Sequence, residues 1–162
     1  MIVISDTSPI SGLYLIGQIE LLPKLFGKVI VPTTVAKELE RLSFWGHEMD
    51  IVLKSNWISI ETAIDSPKLE ELRSELDPGE AEAIALATVF KADLLIIDEL
   101  KGRRIAVKEG LKIIGILGIL LEAKEMGFLE KVQPKMDQLR QQAKFRISPA
   151  LYNAVLIAAN EF

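Results

Sequence analysis

Short apolar runs rich in β-branched residues recur along the chain: Ile2-Val3-Ile4, Val29-Ile30-Val31, Trp57-Ile58-Ser59-Ile60, Leu94-Leu95-Ile96-Ile97 and Lys112-Ile113-Ile114. Several are continuous rather than alternating, the pattern of strands covered on both faces of a parallel sheet. Helical periodicity fills the intervals. Residues 32–42 put Val35, Leu39 and Leu42 on one face, and 67–76 repeat the pattern with Leu69, Leu72 and Leu76. Residues 79–90 are apolar almost all round (Ala83, Ile84, Ala85, Leu86, Ala87, Val89), which predicts a deeply buried helix. Residues 101–109 supply another, closed by Gly110. Strand alternating with helix predicts an α/β sandwich.

After the fifth strand the pattern turns wholly helical. Residues 116–126 form one helix ended by Gly127, and 135–144 read as a charged, exposed one. Ser148-Pro149 then serves as N-cap and first residue of a last helix over 150–160. Its stripe of Leu151, Val155, Ala158 and Ala159 suits either packing on the domain or a dimer or partner interface. No repeat, linker or low-complexity tract interrupts the chain. The expectation is one domain over 1–162, with an α/β core over 1–125 and a helical extension over 126–162.

Composition narrows the chemistry. The 162 residues are 49% hydrophobic and 26% charged, which fits a single globular domain. Mean hydropathy is +0.28, but the richest apolar run, 113–121, holds two glycines and is about half the ~20 residues a spanning helix needs. The N-terminus has no basic n-region and Asp6 interrupts its apolar run, so no signal peptide is expected. A cytoplasmic protein follows. Cysteine is absent, which removes disulfides, thiolate metal sites and cysteine nucleophiles. The one histidine, His47, sits in polar Trp45-Gly46-His47-Glu48 and reads as a surface loop residue. Any chemistry rests on carboxylates. The net charge of −4 argues against broad electrostatic binding to nucleic acid.

Two acids stand directly after apolar strands, Asp6 and Asp98. In open α/β sheets the carboxyl ends of the strands form the functional edge. Each acid alone is explained as a turn or helix-start residue, but two strands ending in Asp strain that explanation. In Asp77-Pro78-Gly79-Glu80, Asp77 is a natural N-cap and Glu80 its capping-box partner. The apolar helix behind Glu80 must start near the core and sheet edge, which places this acid to reach into a cleft. Glu82, the second choice, points the other way around the helix. Glu38 borders the buried stripe of its helix, whereas Glu40 lies on a more solvated side. The ordinary role for either is an ion pair with Lys37 or Arg41.

Acids gathered at one edge repel unless a cation offsets them or some stay protonated. An all-oxygen site suits Mg²⁺ or Mn²⁺, and such ions suit hydrolysis or transfer at phosphorus. There is no G-x-x-x-x-G-K-[ST] loop and no G-x-G-x-x-G, and Ser5, Ser8 and Ser11 lack a nucleophile elbow. These absences disfavour an NTPase, a dinucleotide enzyme and a serine hydrolase.

The ordered segments Ile-Ser-Asp6-Thr-Ser-Pro, Val-Pro-Thr-Thr-Val-Ala-Lys-Glu38, Gly-Glu80-Ala-Glu-Ala-Ile-Ala-Leu-Ala and Leu-Leu-Ile-Ile-Asp98-Glu resemble the PIN-domain family over about residues 1–125. The likeness is nearest to the branch related to VapC-type toxin ribonucleases. It implies a three-layer sandwich around a parallel sheet in order 3-2-1-4-5. It also implies an acidic Mg²⁺ or Mn²⁺ site that cuts RNA, with Asp6, Glu80 and Asp98 as metal ligands and Glu38 as a further catalytic acid. Thr7 and Ser8 would support the site. Many members carry Thr-x-Asp-x-x-Phe near the last acid, where this chain has Ile96-Ile97-Asp98-Glu99-Leu100-Lys101-Gly102-Arg103. That departure leaves Asp98 and Glu99 as alternatives, and one or two metals. Likeness to toxins further implies a small antitoxin partner and a homodimer.

Lys101, Arg103, Arg104 and Lys108 cluster just after Asp98, and Arg103 is the candidate phosphate contact. The leading expectation is a metal-dependent endoribonuclease. A catalytically inactive module that binds nucleic acid or protein is the alternative, and a small-molecule phosphatase or nucleotidase the third.

Overall fold

The computed structural model describes residues 1–42 and 48–162. His47 lies outside the described residues. Strands β1 (Val3–Ser5), β2 (Val29–Pro32), β3 (Ile58–Glu61), β4 (Leu94–Ile96) and β5 (Ile113–Ile114) form one parallel sheet in the order β3-β2-β1-β4-β5. The sequence order of helices is α1 (Thr7–Leu15), α2 (Leu21–Phe26), α3 (Thr33–Arg41), α4 (Glu48–Leu53), α5 (Pro67–Glu75), α6 (Pro78–Val89), α7 (Leu100–Lys108), α8 (Ile116–Glu125), α9 (Gln133–Gln142) and α10 (Pro149–Ala158).

Alternation along each strand divides the apolar side chains between two layers. Val3, Val29, Val31 and Ile96 face a core built with α1, α2, α3, α8, α9 and α10. Ile4, Ile30, Leu95 and Ile97 face a second core built with α5, α6 and α7. Both faces are therefore covered, and the sequence runs are continuous because neither face meets water. The sheet arrangement and the three layers agree with the expectation from the family resemblance.

The predicted strands and the helices over 32–42, 67–76, 79–90, 101–109 and 116–126 all form, and Gly79 to Ala87 of α6 are buried as expected. Leu42 is a departure, being 44% exposed at the end of α3. Three helices went unread. In α1 the buried set is Pro9, Ile10, Gly12 and Leu13, too small and glycine-broken for an apolar stripe to stand out. The helices α2 and α4 are each six residues long.

Two expectations about the C-terminal helices are corrected. The stretch over 135–144 is not merely an exposed helix, because Met136 and Leu139 of α9 are fully buried. Its polar composition conceals them: two well-placed side chains suffice to dock ten residues. In α10 the buried side is Val155 and Leu156, continued by Ala159, whereas Leu151 is 45% exposed and Ala158 faces solvent. The stripe is rotated from the one predicted, since packing on α8 sets which face turns inward.

The strand order reverses between β1 and β4, where the chain proceeds to β2 and β3 on one side and to β5 on the other. Ser5 pairs with Ile96, and the Asp6 amide donates to the Ile96 carbonyl at 3.0 Å. The carboxyl ends of both central strands thus open into the crevice at the switch point, where α/β sheets bind ligands. No helix among the described residues is long and apolar enough to cross a membrane.

Candidate active site

Asp6 leaves the end of β1 as the N-cap residue of α1 and is only 5% exposed. Asp98 lies two residues beyond β4, already past the sheet edge. Glu80 stands in the first turn of α6, and Glu38 in the second half of α3. The fold brings all four predicted acids to one region. The negative charges of Glu38 and Asp98 both act on Asp6, and that of Asp6 acts on Glu80.

Burial is the dominant force on the three innermost carboxyls. It pushes Asp6 up from 3.8 to about 7, against the pull of the Thr7 amide, and the charges of Asp77, Glu38 and Asp98 push the same way. Burial lifts Glu80 from 4.5 to about 9, assisted by hydrogen bonding to Asp77 and by the charges of Asp77, Asp6 and Glu99. Asp98 rises from 3.8 to about 6 through burial, restrained by the Ile116 amide and by Arg103. These carboxyls retain protons at a pH where exposed ones have lost them. Perturbed carboxyls gathered in a crevice are a mark of functional sites.

Each acid is also held in place. Thr7 Oγ1 donates to Glu38 Oε2, so Glu38 turns toward α1. Asp98 Oδ1 accepts from the Ile116 amide at 2.9 Å, which ties it to the start of α8 rather than to α7. The opposite oxygen, Asp98 Oδ2, is buried without a hydrogen-bond partner among the described residues, and so is Glu80 Oε2. Such atoms cost about 1–3 kcal/mol each when left unmet, so two such atoms on acids that both neighbour Asp6 call for an explanation. Among the described residues, no three acids converge closely enough, as they stand, to hold a cation between them. The donor set nevertheless fits a hard cation in chemistry: carboxylate oxygens, two of them unpartnered, at a ligand-binding edge.

The remaining candidates fall as follows. Ser8 is exposed, and its carbonyl accepts from Ser11 Oγ at 3.2 Å. Glu82 is buried away from this region, where Thr34 Oγ1 donates to it and Arg73 lies 4.0 Å away. Thr34 and Glu38 are one helical turn apart on α3, where Thr34 bonds to α6 and Glu38 accepts from α1. Arg103 Nη1 donates to the Ile97 carbonyl at 2.8 Å beside Asp98, which makes it a brace of the strand end. Asp98 acts on Asp6, whereas exposed Glu99 acts on Glu80.

Sequence reasoning passed over two features. Asp77 caps α6 as expected, with the Glu80 amide donating to it at 2.9 Å, yet its charge also bears on Asp6 and Glu80. The other feature is a set of glycine seats. A Cβ on Gly79 would lie 2.9 Å from both Glu38 carboxylate oxygens, and one on Gly115 would lie 2.6 Å from Asp98 Oδ1. On Gly102 it would collide with Glu80 Oε2 and stand 2.8 Å from Ile97 Cδ1. Three acids thus occupy space that any other residue would fill. The signal was present as Pro-Gly-Glu, Lys-Gly-Arg and Ile-Gly-Ile, but the partner across space was not.

A prediction follows for Gly102, which lies inside α7. Glycine to alanine in a helix ordinarily stabilises by roughly 0.5–1 kcal/mol. Here Gly102→Ala is expected to lower the melting temperature instead, because Glu80 and Ile97 must both give way. Differential scanning calorimetry of the variant without divalent ions checks this, and a raised melting temperature would contradict it.

A PIN-domain family profile matches residues 2–161, running on through the C-terminal helices. No curated protein and no solved structure among those compared matches the chain. The sheet order, the acids at its switch point and a profile match over nearly the whole length agree: the chain belongs to the PIN-domain family, whose fold is of nuclease type.

Proposed function

We propose that this protein is a divalent-metal-dependent endoribonuclease that hydrolyses RNA phosphodiester bonds. Members of the family are generally nucleases and typically use divalent metals. The observation that carries the reading is the pair of buried, unpartnered oxygens, Glu80 Oε2 and Asp98 Oδ2, on two acids that each neighbour Asp6 at the end of its strand. Asp6, Glu80 and Asp98 are the residues that would hold Mg²⁺ or Mn²⁺, with Glu38 beside them as a fourth acid. When bound, such an ion polarises a phosphoryl oxygen and lowers the pKa of water.

The chain's own residues do the rest. The Ile116 amide fixes Asp98 so that Oδ2 is the free oxygen. Thr7 Oγ1 fixes Glu38 by donating to its Oε2. Arg103, braced on the Ile97 carbonyl, offsets part of the charge of Asp98 and thereby keeps that carboxyl ionisable near neutrality. Asp6, held near 7 by its burial, is poised to hold or release a proton at neutral pH.

Likeness to toxin ribonucleases extends the proposal to a small antitoxin protein and to a homodimer through α10. The exposed Leu151 and Ile157 of that helix support a contact there.

The decisive experiment combines calorimetric Mn²⁺ titration with digestion of end-labelled single-stranded RNA. Expected are Mn²⁺ binding accompanied by proton release, internal cleavage with Mg²⁺ or Mn²⁺, and none with chelator. Absent metal binding and absent cleavage would instead identify a non-catalytic binding module. Hydrolysis of nitrophenyl phosphate with RNA left intact would identify a phosphatase.

A further inference from the structure

Although the chain is acidic overall, α7 carries four cations, Lys101, Arg103, Arg104 and Lys108, and no acid. Arg103 is engaged with the Ile97 carbonyl, but Lys101, Arg104 and Lys108 are exposed and form no ion pair with any described residue. Their spacing of three and four residues puts them along one side of the helix, in a row about 10 Å long. They line an open groove of about 590 Å³ with Ile105, Val107 and Ile113. One acid, Glu75 of α5, also borders it, and its field is shared with Lys68. Glu109, just past the helix, is paired with Lys68.

Gly102, the seat of Glu80, follows Lys101 in the first turn of α7, so the cation row starts on the same helical turn that packs against Glu80 on its buried side. We infer that this α7 groove is a binding track for the phosphates of one RNA strand as it leaves the crevice, held by Lys101, Arg104 and Lys108. The inference rests on the nuclease reading of the crevice and adds a site to it. A single strand fits because the cations form one row, not the two that the backbones of a duplex would meet. An acidic peptide is disfavoured, since the lining offers no neutral hydrogen-bonding side chain to engage its main chain. No aromatic ring lines the groove, so bases are not stacked and binding tolerates sequence.

Anisotropy of a fluorescent 12-nucleotide oligouridylate, titrated with protein in chelator, tests the track without cleavage. The triple variant Lys101→Gln, Arg104→Gln, Lys108→Gln is expected to bind at least about tenfold more weakly at low salt. Its slope of log affinity against log salt should fall by about 2, as loss of three phosphate contacts on a single strand requires. A control triple variant, Lys28→Gln, Lys54→Gln, Lys131→Gln, removes the same charge from exposed positions elsewhere and should change binding by under about threefold. Equal losses in the two variants, or an unchanged salt slope, would overturn the track. So would polyglutamate or duplex RNA that competes as well as the oligouridylate. If the groove variant loses binding while wild-type protein cuts no RNA with Mn²⁺, the track stands and the nuclease reading fails. If the wild type cuts and the groove variant binds normally, the reverse holds.

Discussion

Asp6→Asn combined with Asp98→Asn is expected to lower Mg²⁺- or Mn²⁺-dependent RNA cleavage by roughly 10³-fold or more, about 4 kcal/mol of lost transition-state stabilisation. Both acids come from the ends of the two central strands, and the charge of Asp98 already bears on Asp6. Asparagine keeps the shape and one acceptor oxygen, so the Ile116 amide retains its partner at position 98. What disappears is the charge that would offset a cation. The same substitutions should leave the metal-free fold as stable as before, or more stable above pH 7, since they remove buried carboxylates that repel one another. Lost activity with retained stability is the signature of residues kept for function at some cost to the fold. Undiminished metal-dependent cleavage by the double variant would sink the proposal.

In the absence of divalent ions, the melting temperature is expected to fall as pH rises from about 5 to about 9, by roughly 5 °C or more. The folded state keeps protons on Asp98 up to about 6, on Asp6 up to about 7 and on Glu80 up to about 9. An unfolded chain gives those protons up near pH 4. Between these limits the folded state binds more protons than the unfolded one, so stability is greatest at the acid end and is lost as pH climbs through the folded values. Glu80→Gln separates this from the general repulsion of an acidic chain. That variant should flatten the curve between about pH 7 and 9, where Glu80 alone keeps an extra proton, and lessen without abolishing the slope between about 5 and 7. Mn²⁺ competes with these protons for the same oxygens, so it should raise the melting temperature more at pH 8 than at pH 5. A melting temperature independent of pH, with no difference for Glu80→Gln, would contradict the burial of these acids.

Much of the fold was legible because parallel strands covered on both faces leave continuous apolar runs, and Val29-Ile30-Val31 or Leu94-Leu95-Ile96-Ile97 can be little else. The capping of α6 was legible for a similar reason: Asp77 and Pro78 act within one helical turn, and the Asp77 hydrogen bond to the Glu80 amide is local. Met136 and Leu139 were not legible as core, because their ten-residue helix is otherwise polar and only α1 and its neighbours bury them. Leu151 failed in the opposite sense, since an apolar helix such as α10 does not announce which side its neighbour will cover.

The candidate site divides along the same line. Sequence alone determined that carboxylate oxygen is the available ligand, that Asp6 and Asp98 follow strands, and that Glu80 opens a buried helix. Those are matters of composition and of neighbours a few residues apart. Only the tertiary structure decided that Glu38 turns to Thr7 and rests on Gly79, that Glu80 rests on Gly102, and that Asp98 rests on Gly115 and the amide of Ile116. It also decided that Arg103 braces a carbonyl while Lys101, Arg104 and Lys108 stay free of ion pairs with described residues. Most of these partners are many residues apart along the chain, up to 41 for Glu38 and Gly79, and no pair lies within a single element. A pattern of short period carries no record of which elements a sheet will set side by side, so the oxygens left without partners become visible only once the chain has closed around them.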